Sequence, residues 1–203
     1  MLTITNEDNM ELMSRYEDNY FDLAIVDPPY GININESIGR RKGMKHSGHK
    51  KTIWDKSIPN DYYFNELFRV SKHQIIWGGN YYKMPPTKCF IIWDKKYSEN
   101  VTFSRYEYAW SSFNKTSKGF EFNGQANNNK IHPTQKPVQL YEWLLKKYAQ
   151  EGDKILDTHL GSGSIAIACH NLHFDLTACE LDKDYFDSAM KRIKQHKQQL
   201  RIF

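Results

Sequence analysis

The chain has 203 residues, 39% of them hydrophobic, and 28 Lys and Arg against 24 Asp and Glu leave a formal net charge of +4. This length fits one domain (1–203) with a full core, and no stretch approaches the ~20 apolar residues that a membrane span needs. Met1-Leu2-Thr3-Ile4 lacks a basic region followed by an apolar one, so a signal peptide is not expected and the cytoplasm is. Cys89, Cys169 and Cys179 have no metal-ligand spacing and sit in apolar company, which predicts buried, reduced thiols and no bound metal.

In chain order, Leu2 to Thr5 predicts a short strand and Asn6 to Arg15 a helix that opens near an Asn/Asp cap, with Asp8 just past the strand end. Phe21 to Val26 is an apolar run that reads as a buried strand, closed by the turn chemistry of Asp27-Pro28-Pro29-Tyr30. Residues 31–59 have no period. Gly31, Gly39, Gly43 and Gly48 interrupt them, and between positions 40 and 56 the basic residues Arg40, Arg41, Lys42, Lys45, Lys50, Lys51 and Lys56 face the single acid Asp55. A loop this long in a compact domain is usually functional or disordered. Here a mobile basic arm for a phosphate backbone is expected, beside the plainer reading of a solvated loop.

The spacing of Tyr63, Phe64, Leu67 and Phe68 predicts a helix over Asp61 to Ser71, followed by strands at Gln74 to Trp77, Cys89 to Trp93 and Tyr106 to Ser111. Residues 114–131 read as a second polar loop. Pro137 opens a helix that runs from Val138 to Tyr148. Lys154 to Leu156 is a strand ending in Asp157. The glycine turn Gly161-Ser162-Gly163-Ser164 follows, then a helix from Ile165 to Asn171 and a strand from Asp175 to Cys179 ending in Glu180. A last amphipathic helix from about Lys183 to Gln199 takes Asp182 as its cap and turns Phe186, Met190, Ile193 and Leu200 inward.

Two stretches carry chemistry. Asp27-Pro28-Pro29-Tyr30 puts a carboxylate, two rigid prolines and an aromatic ring at the carboxyl end of a strand, the edge where open α/β sheets bind ligands. A carboxylate and a fixed carbonyl suit an amino group with two hydrogens, and the ring suits a flat heterocycle such as adenine or cytosine. The second stretch, Asp157 to Glu180, reads as strand, glycine turn, helix, strand, acid. Its glycines let a ligand approach the backbone and helix N-terminus, and Glu180, nineteen residues after Gly161, suits ribose hydroxyls. The same spacing, Gly-x-Gly-x-x-Ala, also matches a dinucleotide fingerprint. Asp157 would repel a pyrophosphate, however, and hydride transfer has no use for the Asp27 tetrad.

Together with His132-Pro133-Thr134-Gln135-Lys136-Pro137 and Asp157-Thr158-His159-Leu160-Gly161-Ser162-Gly163-Ser164, the tetrad resembles the motifs of the amino-methyltransferases of DNA. The order, catalytic motif first, is similar to the permuted β class. The resemblance implies a Rossmann-like α/β fold with a mostly parallel seven-stranded sheet and helices on both faces. It implies S-adenosylmethionine as cofactor, double-stranded DNA as partner and adenine as acceptor, with Asp27, Pro28, Pro29 and Tyr30 catalytic. Cofactor contacts are implied at Asp8, His132, Thr134, Gln135, Lys136, Asp157, Thr158, Leu160, Gly161, Ser162, Gly163, Ser164, Glu180 and Leu181. Asp8 would reach the adenine end, Glu180 the ribose, and Asp157 with the His132-to-Lys136 stretch the methionine portion. Arg40, Arg41, Lys42, Lys45, Lys50 and Lys51 are the DNA-binding candidates. Asp-Thr-His-Leu stands where the family more often has Asp-Pro-Phe, and the two loops 31–59 and 114–131 are short for a target-recognition region. Cytosine as acceptor, a non-catalytic DNA-binding subunit, a homodimer, and partnership with a restriction enzyme all stay open.

Overall fold

A computed structural model describes residues 1–32, 55–97, 104–123, 131–132 and 134–199. The basic residues at 40–51 and most of the 31–59 loop lie outside them. The strands are β1 (Leu2–Thr5), β2 (Phe21–Val26), β3 (Ser71–Trp77), β4 (Cys89–Asp94), β5 (Tyr106–Ser111), β6 (Lys118–Glu121), β7 (Lys154–Asp157) and β8 (Asp175–Cys179). The helices are α1 (Asn9–Ser14), α2 (Asp61–Val70), α3 (Val138–Tyr148), α4 (Ser164–Leu172) and α5 (Lys183–Gln198).

Among the described residues eight strands form one sheet in the order β1-β8-β7-β2-β3-β5-β4-β6, and of these only β5 runs against its neighbours. The eighth strand corrects the expected count of seven. It is β6, parallel to β4 at the sheet edge, inside the stretch 114–131 that reads as a polar loop. Its sequence, Lys-Gly-Phe-Glu, brings one apolar side chain to the sheet, so no period-2 signal betrays it.

Strand β2 lies at the centre and is buried on both faces. Leu23 and Ile25 join the core shared with α3, α4 and α5, while Ala24 and Val26 join the core shared with α1 and α2. Each fully buried Leu, Ile or Val side chain there contributes about 1.5–3 kcal/mol. Helix α3 packs through Leu140, Tyr141, Leu144, Leu145 and Tyr148, the one-face spacing of an amphipathic helix. Helix α5 departs from expectation: Met190 is 38% exposed, and the buried stripe runs through Ala189 and Ile193. The cause is the glycine turn beneath it, where a Cβ on Gly163 would stand 3.0 Å from Ile193 and 3.4 Å from Ala189. Leu200 lies outside the described residues. All three cysteines are buried free thiols.

Strands β2 and β7 are neighbours, with Leu23 beside Ile155 and Ala24 beside Leu156. From β2 the chain passes through α2 to β3 on one side; from β7 it passes through α4 to β8 on the other. The sheet therefore switches direction between these two strands, the place where open α/β sheets form a crevice at the carboxyl ends. Asp27 and Asp157 both stand at that edge.

Candidate active site

The tetrad after β2 is held from several sides. Asp55, the lone acid of the basic stretch, is buried and accepts the backbone N–H groups of Tyr30 at 2.7 Å and Gly31 at 2.9 Å. The Tyr82 hydroxyl donates to the carbonyls of Pro28 (2.8 Å) and Pro29 (3.1 Å). Gly78 lets the Tyr30 ring lie against the end of β3, since a Cβ there would fall 2.3 Å from a ring carbon. The Tyr30 hydroxyl donates to Asp27 Oδ1 at 2.7 Å, and its ring stacks on Tyr81 with centroids 5.0 Å apart. A ring expected to serve a ligand is thus packed on Tyr81 and tied to the carboxylate.

The His132-to-Lys136 stretch is locked to the glycine turn, because Ser164 Oγ donates to the Lys136 carbonyl at 2.7 Å. Arg192 from α5 donates to the Ser162 carbonyl (2.8 Å) and Ser164 Oγ (2.9 Å). Gly161 and Gly163 have φ of 53° and 72°, left-handed values that favour glycine. The Gly161 N–H donates to Glu180 Oε2 at 2.8 Å and the Asp182 N–H to Oε1 at 3.0 Å, so the acid ending β8 is oriented by two amides. The departure at Thr158-His159 is built in as well. Asn9 Nδ2 lies 3.2 Å from His159 Nε2, His159 Nδ1 lies 2.9 Å from Thr158 Oγ1, and the Tyr63 hydroxyl lies 2.7 Å from the same oxygen. Burial lowers the His159 pKa to about 3, so the ring is a neutral member of this wall.

One cavity of about 660 Å³ joins these parts, within the ~300–1,000 Å³ usual for small-molecule sites. Asp27 and Pro29 line one end; Glu180, Leu181 and Asp182 line the other. Thr158, His159, Leu160, Gly161 and Ser162 lie between them, faced by His132, Thr134, Gln135 and Lys136, with Asn60 and Tyr63 of the α2 segment closing the wall. Burial raises the pKa of Asp27 and Glu180. Burial, with Asp27 and Glu180 adding and the His159 N–H opposing, pushes Asp157 up to about 8. A cationic ligand would relieve that stress.

Of the eighteen predicted catalytic and cofactor positions twelve line this one cavity, and the others sit differently from expectation. Asp8 caps α1, accepting the Met10 N–H at 2.7 Å, and its neighbours Glu7, Asn9 and Met10 are the ones on the wall. Asp157 lies behind the lining, buried, with Oδ1 accepting the His159 N–H at 3.0 Å. Gly163 and Ser164 support the turn from below. Pro28 is buried and Tyr30 faces Tyr81, so of the tetrad only Asp27 and Pro29 reach the cavity. Arg40, Arg41, Lys42, Lys45, Lys50 and Lys51 lie outside the described residues. Lys136 does not reach along the glycine turn: its Nζ pairs with Asp27 Oδ2 at 2.5 Å and with Glu107 Oε2 at 3.3 Å. Glu107 also holds Lys95 at 3.1 Å. Sequence reasoning missed Glu107, Lys95, Tyr63, Tyr82 and Asp55. For Asp55 a signal existed, one acid amid basic residues; a lone Glu in an aromatic strand gives none.

Fold and cavity together define a Rossmann-like methyltransferase. The chain belongs to the DNA methylase family, whose profile matches residues 72–191. It is 21% identical to the type II methyltransferase M2.DpnII of Streptococcus pneumoniae over 95% of this chain and 90% of that one. A shorter match of 66 residues, 38% identical, links 32% of the chain to 21% of the type II methyltransferase M.HpaI of Haemophilus parainfluenzae. Among solved structures, the complex of M1.HpyAVI with S-adenosylmethionine superposes with a TM-score of 0.63 at 19% identity, covering 95% of this chain and 99% of that one. The cytosine-N4-specific PvuII DNA methyltransferase superposes with a TM-score of 0.60 at 13% identity, covering 96% and 92%. These likenesses establish the shared fold. Among the described residues no helix is long and apolar enough to cross a membrane.

Proposed function

We propose that the chain transfers the methyl group of S-adenosylmethionine to the exocyclic amino group of adenine in double-stranded DNA. The observation that carries this reading is that Asp27 and the Gly161-to-Glu180 apparatus open onto one cavity, although 130 residues of chain separate Asp27 from Asp157. The donor set fits the cofactor. Glu180 keeps lone pairs for ribose hydroxyls, the glycines admit close approach, and Asp27 and Glu180 line the cavity as acid groups suited to a cation, with Asp157 buried behind them.

S-adenosylmethionine, when bound, supplies an electrophilic methyl group. The rest is the work of the chain. An adenine amine is a weak nucleophile because its lone pair is delocalised into the ring. Asp27 and the Pro28 carbonyl, accepting its two hydrogens, favour a pyramidal nitrogen and stabilise the charge that develops on it. The Pro28 carbonyl accepts from Tyr82 behind the cavity wall, so taking the amine with its second lone pair requires the tetrad to turn that carbonyl inward when the base enters. The base must leave the duplex to reach Asp27, and Tyr81, 43% exposed and backed by the Tyr30 ring, offers it an aromatic face. The Arg40-to-Lys51 residues hold the phosphate backbone. The reading also accommodates a homodimer, which sedimentation of the purified chain with and without duplex decides.

Mass spectrometry of nucleosides from duplex DNA incubated with the chain and labelled S-adenosylmethionine tests the reading. N6-methyladenine is expected, and Asp27→Ala should lower turnover by about 10²–10³-fold, the usual cost of losing one donor or acceptor at a developing charge. N4-methylcytosine alone would favour the reaction of the PvuII neighbour. No methylated base from a folded, cofactor-binding chain would point to a non-catalytic subunit.

A further inference from the structure

Beside Asp27 lies a row of alternating charges that the proposed reaction does not by itself require. Lys136 Nζ contacts Asp27 Oδ2 and Glu107 Oε2, and Lys95 Nζ contacts Glu107 Oε1. The Lys136 side chain is only 2% accessible. Its ammonium also lies 5.1 Å from the centroid of the Trp77 ring. A buried ammonium with two carboxylate partners is held in place, because leaving either charge alone would cost several kcal/mol.

We propose that Lys136 is a positioning residue for Asp27: its ammonium, anchored from behind by Glu107, keeps the Asp27 carboxylate ionised and aimed into the cavity. The inference rests on the reading of Asp27 as acceptor of the target amine. Its chemical sense is direct. A protonated carboxyl donates where it should accept, so a neutral Asp27 loses its grip on the amine. Burial alone favours that neutral form, and a cation in contact opposes it. Lys136 on a single carboxylate would give it the whole attraction of the ammonium. Glu107 divides the ammonium, which leaves Asp27 with capacity to accept, and Lys95 balances Glu107. Tyr30 from the tetrad and Lys136 ahead of α3 touch Asp27, and Glu107 on β5, Asp157 on β7 and the phenols of Tyr63, Tyr82 and Tyr141 lie near enough to feel its charge. Burial raises the pKa of each of these four phenols, so they stay neutral and Lys136 is the only cation of this group among the described residues.

The motif resemblance assigns Lys136 to the cofactor instead, and one set of variants separates the roles. Lys136→Met, Lys136→Arg and Glu107→Gln are compared with wild type in three measurements. These are S-adenosylmethionine calorimetry, kcat/KM on adenine-containing duplex against pH, and carbon NMR titration of the Asp27 carboxyl without cofactor. For Lys136→Met the Asp27 titration and the acid limb of kcat/KM should move up by about 1–3 pH units. Cofactor affinity should stay within a few-fold. Lys136→Arg should keep the limb near its wild-type position. Glu107→Gln removes a negative charge and should move it down, so the two neutralising variants shift the profile in opposite directions. A merely structural role lowers stability and shifts neither. Cofactor binding weakened tenfold or more with an unmoved Asp27 titration would overturn the proposal and make Lys136 a cofactor ligand. Should wild type fail to methylate DNA, the functional reading falls, while the NMR titration still decides whether Lys136 governs Asp27. If Lys136→Met does not fold, the Glu107→Gln titration carries the test, and no downward movement there refutes it.

Discussion

The Gly161 N–H donates to Glu180 Oε2 at 2.8 Å, tying the turn after β7 to the acid that ends β8. The same carboxylate shapes the turn and faces the cavity, so its loss acts twice. Glu180→Ala should weaken S-adenosylmethionine binding by about 10–150-fold, the equivalent of one charge-assisted hydrogen bond. Glu180→Gln, which keeps one acceptor oxygen, should lose less. Calorimetry gives both values, and equal affinities for wild type and Glu180→Ala would remove Glu180 from the cofactor site.

The two glycines of the turn should separate binding from folding. A Cβ on Gly161 would meet nothing nearer than the His132 ring at 3.9 Å, whereas one on Gly163 would stand 3.0 Å from Ile193. Both substitutions carry the strain of a left-handed residue, about 1–2 kcal/mol. Gly163→Ala adds the clash and should show the larger fall in thermal midpoint. Gly161→Ala should show the larger fall in cofactor affinity relative to its stability loss. Thermal denaturation and calorimetry on the same preparations check the crossover.

Asp157 makes a pH prediction with a definite sign. In the unfolded chain it titrates near 3.8, and burial pushes it up to about 8 in the fold. Between those values the folded chain holds a proton that the unfolded chain has released, so this group lowers stability as pH rises from about 4 to about 8. Asp157→Asn keeps the acceptor for the His159 N–H and removes the titration. It should match wild type near pH 4, melt several degrees higher above pH 8, and bind S-adenosylmethionine more weakly. Melting curves across that range are the measurement. A constant offset between the two proteins would show that Asp157 is ionised throughout.

The basic stretch is tested by salt. Arg40, Arg41 and Lys42 replaced together by alanine should weaken duplex binding and reduce the slope of log K against log salt by about 0.9 for each phosphate no longer neutralised. Cofactor affinity should not change. An unaltered slope would return these residues to a solvated loop.

The sequence by itself determined the local pieces. Apolar runs ending in acids marked β2, β7 and β8, the glycine pair marked the turn, and the spacing of Leu140, Leu144 and Tyr148 marked α3. Each is a statement about neighbours within one or two turns of chain, where period and turn chemistry act directly. The edge strand β6 escaped because one phenylalanine makes no pattern. The inward stripe of α5 was misread because Met190 is as apolar as Ile193, and only the approach of Gly163 tells them apart.

The tertiary structure alone decided what Asp27 touches. The pairing of β2 with β7 brought Asp27 and Asp157 to one edge, and the reversed strand β5 delivered Glu107 behind Lys136. A buried ion pair has no signature in sequence, since its stability depends on the distance between charges and on the exclusion of water around them. Both depend on which strands lie side by side. The motifs could name Asp27 and Lys136 separately; that one holds the other is a consequence of the sheet.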